Sequence, residues 1–196
     1  MKKFLLCTLL LFLSLEAFSE SQPPGKLTFL VGGGLGSSYN IYTSSNTDTM
    51  TGIAASGEYS RIPLYADIYG GIRIYDNLNA LLTLADIFER FVSGAQYLQL
   101  NILQLYPSLQ YRTPVRGLFA GVGWGLGLLI PATNISSYNT SLDAAEIGSV
   151  FQLSAAYRFY QIHGRLLPEA GIRLTHCELK NSITTSIILF AHLSWE

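Results

Sequence analysis

The residues that come nearest to a catalytic arrangement are His192 and Ser194, which stand two positions apart and would face the same side of an extended strand. A histidine can activate a neighbouring serine as a nucleophile when an acid orients its imidazole. The acid on that face is Glu196, at the end of the strand away from an outer-leaflet substrate. The other two histidines, His163 and His176, fall in a predicted turn and a predicted loop. We therefore expect no enzymatic activity.

Two glycine-rich segments raise the question of a phosphate-binding loop. Residues 32–36 and 121–127 lack the final glycine, or the lysine, that such loops carry at fixed spacing. We expect neither a cofactor nor a metal site. The chain also has 12 Lys+Arg against 13 Asp+Glu, so it has no basic excess with which to bind nucleic acid.

The overall composition does not suit an ordinary soluble domain. Hydrophobic residues make up 49% of the chain and charged residues 13%, about half the usual charged fraction. No stretch after residue 19 has the run of about 18 apolar residues that a transmembrane helix requires. The hydrophobicity therefore indicates a membrane protein whose membrane-spanning segments are not helices.

The N-terminal segment has the pattern of a secretory signal peptide. Lys2-Lys3 precedes an apolar run, Phe4–Leu15, and small residues follow at the −3 and −1 positions of a cleavage site in Ala17-Phe18-Ser19. The apolar run is shorter than the roughly 20 residues that a membrane-spanning helix needs. We therefore expect residues 1–19 to be a cleaved signal peptide and residues 20–196 to form the mature domain.

The apolar residues of the mature domain alternate with a period of two. From Ile62 to Ile74, the even positions are apolar, while the odd positions carry charges, tyrosine, proline or glycine. The same alternation occurs in Leu118–Ile130, Phe151–Phe159, Leu166–Leu174 and Ile183–Trp195. Strands of about ten residues, apolar on one side and polar or small on the other, are typical of transmembrane β-barrels.

A soluble β-sandwich also alternates and is the alternative interpretation. Its solvated face would carry many lysines and glutamates, because that face meets water. After the signal peptide the chain has only Lys26 and Lys180. The pattern therefore favours a barrel whose apolar side faces lipid.

The alternation predicts an all-β fold, a transmembrane antiparallel up-and-down barrel of eight strands. The predicted strands are Leu27–Gly36, Ile62–Tyr75, Leu78–Arg90, Gln96–Arg112, Gly117–Leu129, Glu146–Phe159, Gly164–Thr175 and Ser182–Trp195. Short connections at 76–77, 113–116 and 160–163 contrast with long ones at 37–61 and 130–145. Outer-membrane barrels have short periplasmic turns and longer external loops, and an even strand number puts both termini on the periplasmic side.

Two segments depart from simple alternation. Residues 52–60 alternate weakly; they extend the second strand or form a separate one, in which case 78–91 would become a loop with helical character. The turn signal Asp76-Asn77 favours the first interpretation. In the fourth strand the apolar positions change phase, which predicts a β-bulge near Ile102.

Several of these segments resemble the small eight-stranded outer-membrane barrels, the OmpX, OmpW and Opa-like proteins. The resemblance lies in Tyr157-Arg158-Phe159, in residues 70–75, in the glycine-rich strand Gly117–Leu129 and in Trp195 near the C-terminus. It covers about residues 26–196. It implies an outer-membrane location, contact with outer-membrane lipid and recognition by the barrel-assembly machinery. Such barrels usually end on an aromatic residue, whereas here Glu196 follows Trp195.

The interior of the predicted barrel carries charges of both signs. An eight-stranded barrel has a lumen just wide enough for side chains to fill. We therefore expect a salt-bridge network that closes the lumen, in which Asp67 and Glu169 pair with the arginines Arg73, Arg165 and Arg173. Its members are Asp67, Arg73, Arg158, Arg165, Glu169 and Arg173. Alternatively, the inward glycines of 121–127 leave a groove for an apolar solute, or they make room for Tyr65, Tyr69 and Phe119.

The predicted external loops are rich in tyrosine, serine and asparagine, which form adaptable contact surfaces. We expect Tyr39, Tyr42, Asn134 and Tyr138 to be surface-loop contacts. The predicted function is a surface-interaction, adhesin-like role toward a host or extracellular ligand, with a closed lumen. The alternative function is a narrow channel or transporter for small or apolar solutes.

Overall fold

Eight antiparallel strands form a closed barrel in the computed structural model, which describes residues 28–43, 59–134, 145–159 and 166–195. Each strand pairs with the next, and β1 closes the barrel by pairing with β8. The predicted all-β up-and-down barrel is therefore confirmed. The strands are β1 (Thr28–Tyr42), β2 (Ser60–Tyr75), β3 (Leu78–Ser93), β4 (Gln96–Arg112), β5 (Leu118–Thr133), β6 (Glu146–Arg158), β7 (Leu166–Leu179) and β8 (Ile183–Trp195).

The barrel has two rims. At the terminal rim the first strand begins at Thr28, the last ends at Trp195, and the turns at 76–77 and 113–117 connect their strands. At the loop rim Gly94 makes the tight β3–β4 turn, with a φ of 58° that residues other than glycine rarely adopt. The signal-peptide prediction for residues 1–19 falls outside the described residues.

Five strands, β1, β2, β3, β5 and β7, are longer than predicted, and the first and seventh show why. The first, predicted to end at Gly36, continues to Tyr42, because β8 provides partners along the whole length, from Val31↔Trp195 to Tyr42↔Thr184. The seventh likewise continues past Thr175 to the end of β7. In a closed barrel each strand must satisfy the backbone groups of both neighbours, so polar composition alone does not end a strand.

The β-bulge predicted near Ile102 is absent, and that prediction is wrong. The β3–β4 register runs without a shift over all sixteen residues of β3. The phase changes because Leu98, Leu100 and Ile102 point into the barrel, whereas Leu105 points out. Because β3 pairs with β4 over this whole range, the alternative in which 78–91 is a loop is also wrong.

The outer wall of the barrel is apolar. On β5, Leu126 is 62% exposed and Trp124 is 66% exposed. Large apolar side chains are also exposed on each of the other seven strands. No helix within the described ranges is long and apolar enough to cross a bilayer. An apolar wall around a closed barrel is the arrangement of a protein whose outside meets lipid.

The half of the lumen toward the loop rim contains an apolar cluster. Its members come from β3, β4, β5, β6, β7 and β8, so they meet across the barrel axis. Large members such as Leu98 and Ile188 are completely buried. We call this set the apolar cluster: Ile87, Phe91, Leu98, Leu100, Ile102, Leu129, Val150, Cys177, Leu179 and Ile188.

Candidate functional site in the lumen and at the loop rim

A buried ion pair joins opposite walls of the barrel. Arg173 on β7 places Nη1 2.8 Å from Oδ2 of Asp67 on β2, and both side chains are almost completely buried. Tyr65 donates its hydroxyl hydrogen to the same carboxylate over 2.6 Å. The Nε2 atom of His192 lies 3.0 Å from the other carboxylate oxygen. These four residues form the Asp67 cluster, which closes the middle of the lumen.

A second ion pair lies closer to the terminal rim. Arg158 on β6 places Nη2 2.6 Å from Oε1 of Glu169 on β7. Its guanidinium also lies over the Phe119 ring, 4.3 Å from the centroid. Arg158 and Glu169 are direct partners in the β6–β7 register, so the strand pairing itself brings the charges together.

The pair His192 and Ser194 does not assemble a catalytic dyad. The Ser194 hydroxyl donates to Glu169 Oε1 at 2.9 Å or to the Leu167 carbonyl at 3.0 Å. The imidazole of His192 instead faces Asp67. Each side chain is held by a different acid, so the arrangement offers no hydroxyl activated by a base.

The observed pairing differs in part from the expected one. Asp67 pairs with Arg173, which was one of its expected partners. Glu169 pairs with Arg158, which was not among the three arginines expected to pair. Arg73 is half-buried near the terminal rim. Arg165 lies outside the described residues.

A third charged group, missed by the sequence analysis, lies inside the loop rim around Glu89. This carboxylate is completely buried and accepts a hydrogen bond from Asn40 Nδ2 at 2.9 Å. It also accepts from the Tyr42 hydroxyl and pairs with Arg61. We call these four residues the Glu89 cluster. Alternation along β3 could have indicated Glu89, because that position shares the inward phase of Asn79.

Two of the predicted loop contacts serve the barrel instead. Tyr42 points inward to Glu89, because β1 extends beyond its predicted end. Asn134 accepts a hydrogen bond from Tyr97 N at 2.7 Å and donates one to the Ala95 carbonyl at 2.7 Å, so its side chain continues the sheet at the loop rim. Tyr39 is 59% exposed on the outer wall of β1. Tyr138 lies outside the described residues.

Side chains occupy much of the space above the inward glycines of β5. A Cβ at Gly121 would meet Ser154 Oγ at 2.5 Å, and one at Gly123 would meet Tyr106 and Gln152 at 2.9 Å. These neighbours are not the predicted ones. The lumen nevertheless retains a cavity of about 30 Å³ between Tyr106, Gln152, Arg173 and His192 and their neighbours. That volume suits about one water molecule.

The glycines of β1 have a more specific role beside the Asp67 cluster. A Cβ at Gly34 would collide with the His192 ring and with the Ala191 carbonyl. At Gly32 it would collide with the Tyr69 ring. Small residues on β1 therefore let the His192 imidazole reach Asp67.

We predict that Gly34→Ala destabilises the barrel by about 1–3 kcal/mol, because the added methyl overfills a packed interior and displaces His192. Urea unfolding in lipid vesicles measures this difference. Gly70→Ala is the matched control, since the nearest atom to its new Cβ is 4.0 Å away. Equal effects at the two glycines would contradict the packing described for His192.

No three His, Cys, Asp or Glu side chains within the described ranges lie close enough together to hold a metal ion. The buried acids are instead neutralised by arginines, as in the Asp67 and Glu89 clusters. The arrangement fills much of a narrow lumen with paired charges.

Comparison with known proteins gives matches among solved structures. Neither a family model nor a curated protein matches the chain. Neisserial surface protein A superposes with a TM-score of 0.52 at 14% identity, over 87% of this chain and 99% of that one. Ail, the attachment invasion locus protein of Yersinia pestis, in complex with the heparin analogue sucrose octasulfate, gives 0.52 at 10% identity, over 85% and 99%. With its closed ring of eight strands and its apolar outer wall, the chain has the fold of the small eight-stranded outer-membrane barrels.

Proposed function

We propose that the chain is an integral outer-membrane barrel with a closed lumen, without enzymatic activity, that acts at the cell surface through the segments at its loop rim. The observation that carries this proposal is the occupation of the lumen. The Asp67 cluster closes its middle, and the apolar cluster and the Glu89 cluster fill the half toward the loop rim.

The filled lumen opposes the channel alternative. An ion that entered from the terminal rim would have to separate Arg173 from Asp67 and then cross side chains such as Leu100 and Ile102. Breaking a buried ion pair costs several kcal/mol, and a hydrophobic constriction excludes water and ions. The side chains that fill the interior favour a stable scaffold over a path for solutes.

The outer wall supports placement in the outer membrane. Lipid contacts suit the exposed apolar side chains, and export fits the signal peptide expected at residues 1–19. Insertion of such a barrel would depend on the barrel-assembly machinery. The names of the two structural neighbours, a surface protein and an attachment invasion protein, agree with a surface role.

The segments 44–58 and 135–144 are the natural contact surfaces. They connect β1 to β2 and β5 to β6, and they contain serine, threonine, asparagine and, in the second, Tyr138. Such residues bind ligands at a low cost in conformational entropy. The ordered barrel beneath them fixes the positions from which the two segments leave and return, as scaffolds of binding loops do.

Replacing each segment in turn by a glycine-serine linker tests this function. Cells that display the variants are measured for retention on immobilised heparin and on cultured host-cell monolayers. We expect at least one replacement to abolish retention while heat-modifiable migration in detergent gels is kept, because loop residues contribute few barrel hydrogen bonds. Val115→Ser, in a turn at the terminal rim, is the control. Retention that survives both replacements would contradict the proposal.

A further inference from the structure

The outer wall of β3 and β4 carries four polar side chains among its apolar ones. Asp86 and Arg90 lie on β3, and Gln99 and Asn101 lie on β4. The inward neighbours of Asp86 on β3 are only 1% exposed, which places Asp86 itself on the outward face. We call these four residues the polar stripe.

The polar stripe begins inside the apolar band. Asp86 is the ninth of the sixteen residues of β3, and the outward residues before it, Leu82 and Leu84, are 54% and 47% exposed. Its partners in the adjacent strands are Ala66 and Leu103. From this mid-height position the stripe runs toward the loop rim, where Arg90 pairs with Gln99 in the register.

The barrel satisfies the polar stripe only in part. Gln99 Nε2 donates to the side-chain oxygen Oδ1 of Asn101 at 3.4 Å, and the Arg90 guanidinium lies 4.6 Å from the centroid of the Tyr97 ring. Within the described residues, however, Asp86 Oδ1 and Arg90 Nε are buried and have no hydrogen-bond partner. Both side chains are partly exposed on the outer wall, and a polar side chain at membrane depth is costly unless it is paired, so their accessible atoms need a partner from outside the barrel.

We propose that the polar stripe is the contact surface for a second copy of this chain, side by side in the membrane. All copies are inserted in the same orientation, so two copies can be related by a two-fold axis along the membrane normal. This axis places β3 of one copy against β4 of the other at a similar depth in the membrane. Arg90 then donates to the amide oxygen of Gln99 in the second copy. Asp86 accepts from the amide nitrogen of Asn101 in the second copy.

Charge and depth favour a second copy over a lipid as the occupant. An anionic headgroup would be attracted by Arg90 but repelled by Asp86, which also lies too deep in the apolar band to reach the headgroup region. Amide side chains both donate and accept, so the stripe is complementary to itself when two copies meet. This inference is independent of the surface function, because an open or a closed lumen leaves the outer wall unchanged.

The test is the oligomeric state of the full mature chain in phospholipid vesicles, measured by single-molecule photobleaching over a range of protein-to-lipid ratios. We expect wild-type dimers, and we expect the double variant Asp86→Leu with Asn101→Leu to be monomeric at the same ratios. Its heat-modifiable migration should be unchanged, since leucine suits a lipid-facing wall.

A double variant of the opposite wall provides the control. His176 and Thr185 lie on the outward faces of β7 and β8, 3.0 Å apart, and their replacement by leucine removes a similar polar pair. We expect it to remain dimeric. Monomeric wild-type protein at every ratio, or photocrosslinking from position 99 to lipid alone, would overturn the proposal. Dimers unaffected by the Asp86 and Asn101 substitutions would overturn it equally.

Discussion

Replacing Arg173 by methionine will lower the free energy of unfolding by about 3–5 kcal/mol, because the change leaves the Asp67 carboxylate buried without its cationic partner. The carboxylate has no exposed surface, so bulk solvent does not screen its charge. The same change also removes the contact between Arg173 and the Tyr65 hydroxyl. Urea titration of barrels folded into vesicles, followed by the shift between the folded and unfolded bands in detergent gels, gives the difference directly.

A second variant separates the charge effect from lost packing. Arg173→Met combined with Asp67→Leu removes both charges, and we expect it to recover most of the lost stability, because apolar replacement of a whole buried pair is often neutral. Lys180→Met changes an exposed charge at the loop rim and should alter stability by no more than about 0.5 kcal/mol. If Arg173→Met costs as little as Lys180→Met, the ion pair does not hold the lumen closed.

Replacing Leu126 by arginine will destabilise the barrel in a bilayer by about 2–4 kcal/mol, the cost of a cation on the lipid-facing wall near the membrane midplane. Leu126 projects outward from the middle of β5 and is 62% exposed. A soluble protein would accept arginine at such an exposed position with almost no penalty. Vesicle-based urea unfolding again provides the measurement.

Val115 is the matched control for Leu126. It is 61% exposed, almost the same fraction, but it lies in the turn between β4 and β5 at the terminal rim, outside the apolar band. We expect Val115→Arg to have an effect near zero. Similar costs at the two positions would show that the outer wall does not face a bilayer.

The outer wall was more predictable than the interior. Whether Leu126 and Ile68 face outward depends only on alternation along each strand, which the sequence displays. The pairing of Asp67 with Arg173 joins β2 to β7 across the lumen, and it depends on the tilt and stagger of strands far apart in the chain. Alternation alone does not contain that information, so it indicates which side chains face the lumen but not which of them pair.

Residue composition gave a wrong prediction at the loop rim for a related reason. Tyr42 and Asn40 have the residue types of a solvated loop, yet inside the barrel the same types bind the buried Glu89. Conversely, a bulge was expected between Leu100 and Leu105, because the inside was assumed to be polar or small throughout. The half of the lumen toward the loop rim contains the apolar cluster as well as the Glu89 cluster, so a single rule for inward positions fails at β4.

The apolar cluster also changes the conductance that we expect after the lumen arginines are removed. With only the arginines closing the lumen, replacing Arg73 and Arg173 by serine would open a path. Because Leu98, Leu100 and Ile102 still fill the half toward the loop rim, that variant should be less stable and yet remain closed to ions.

Single-channel recording in planar bilayers tests the closed lumen most directly. Purified wild-type barrels, refolded and shown to be heat-modifiable, are added to a bilayer in concentrated potassium chloride. Because the Asp67, apolar and Glu89 clusters occupy the lumen, the account predicts no discrete conductance steps. Regular steps from the wild-type protein that small solutes block, and that persist after replacement of 44–58 and 135–144, would contradict it and establish the channel function instead.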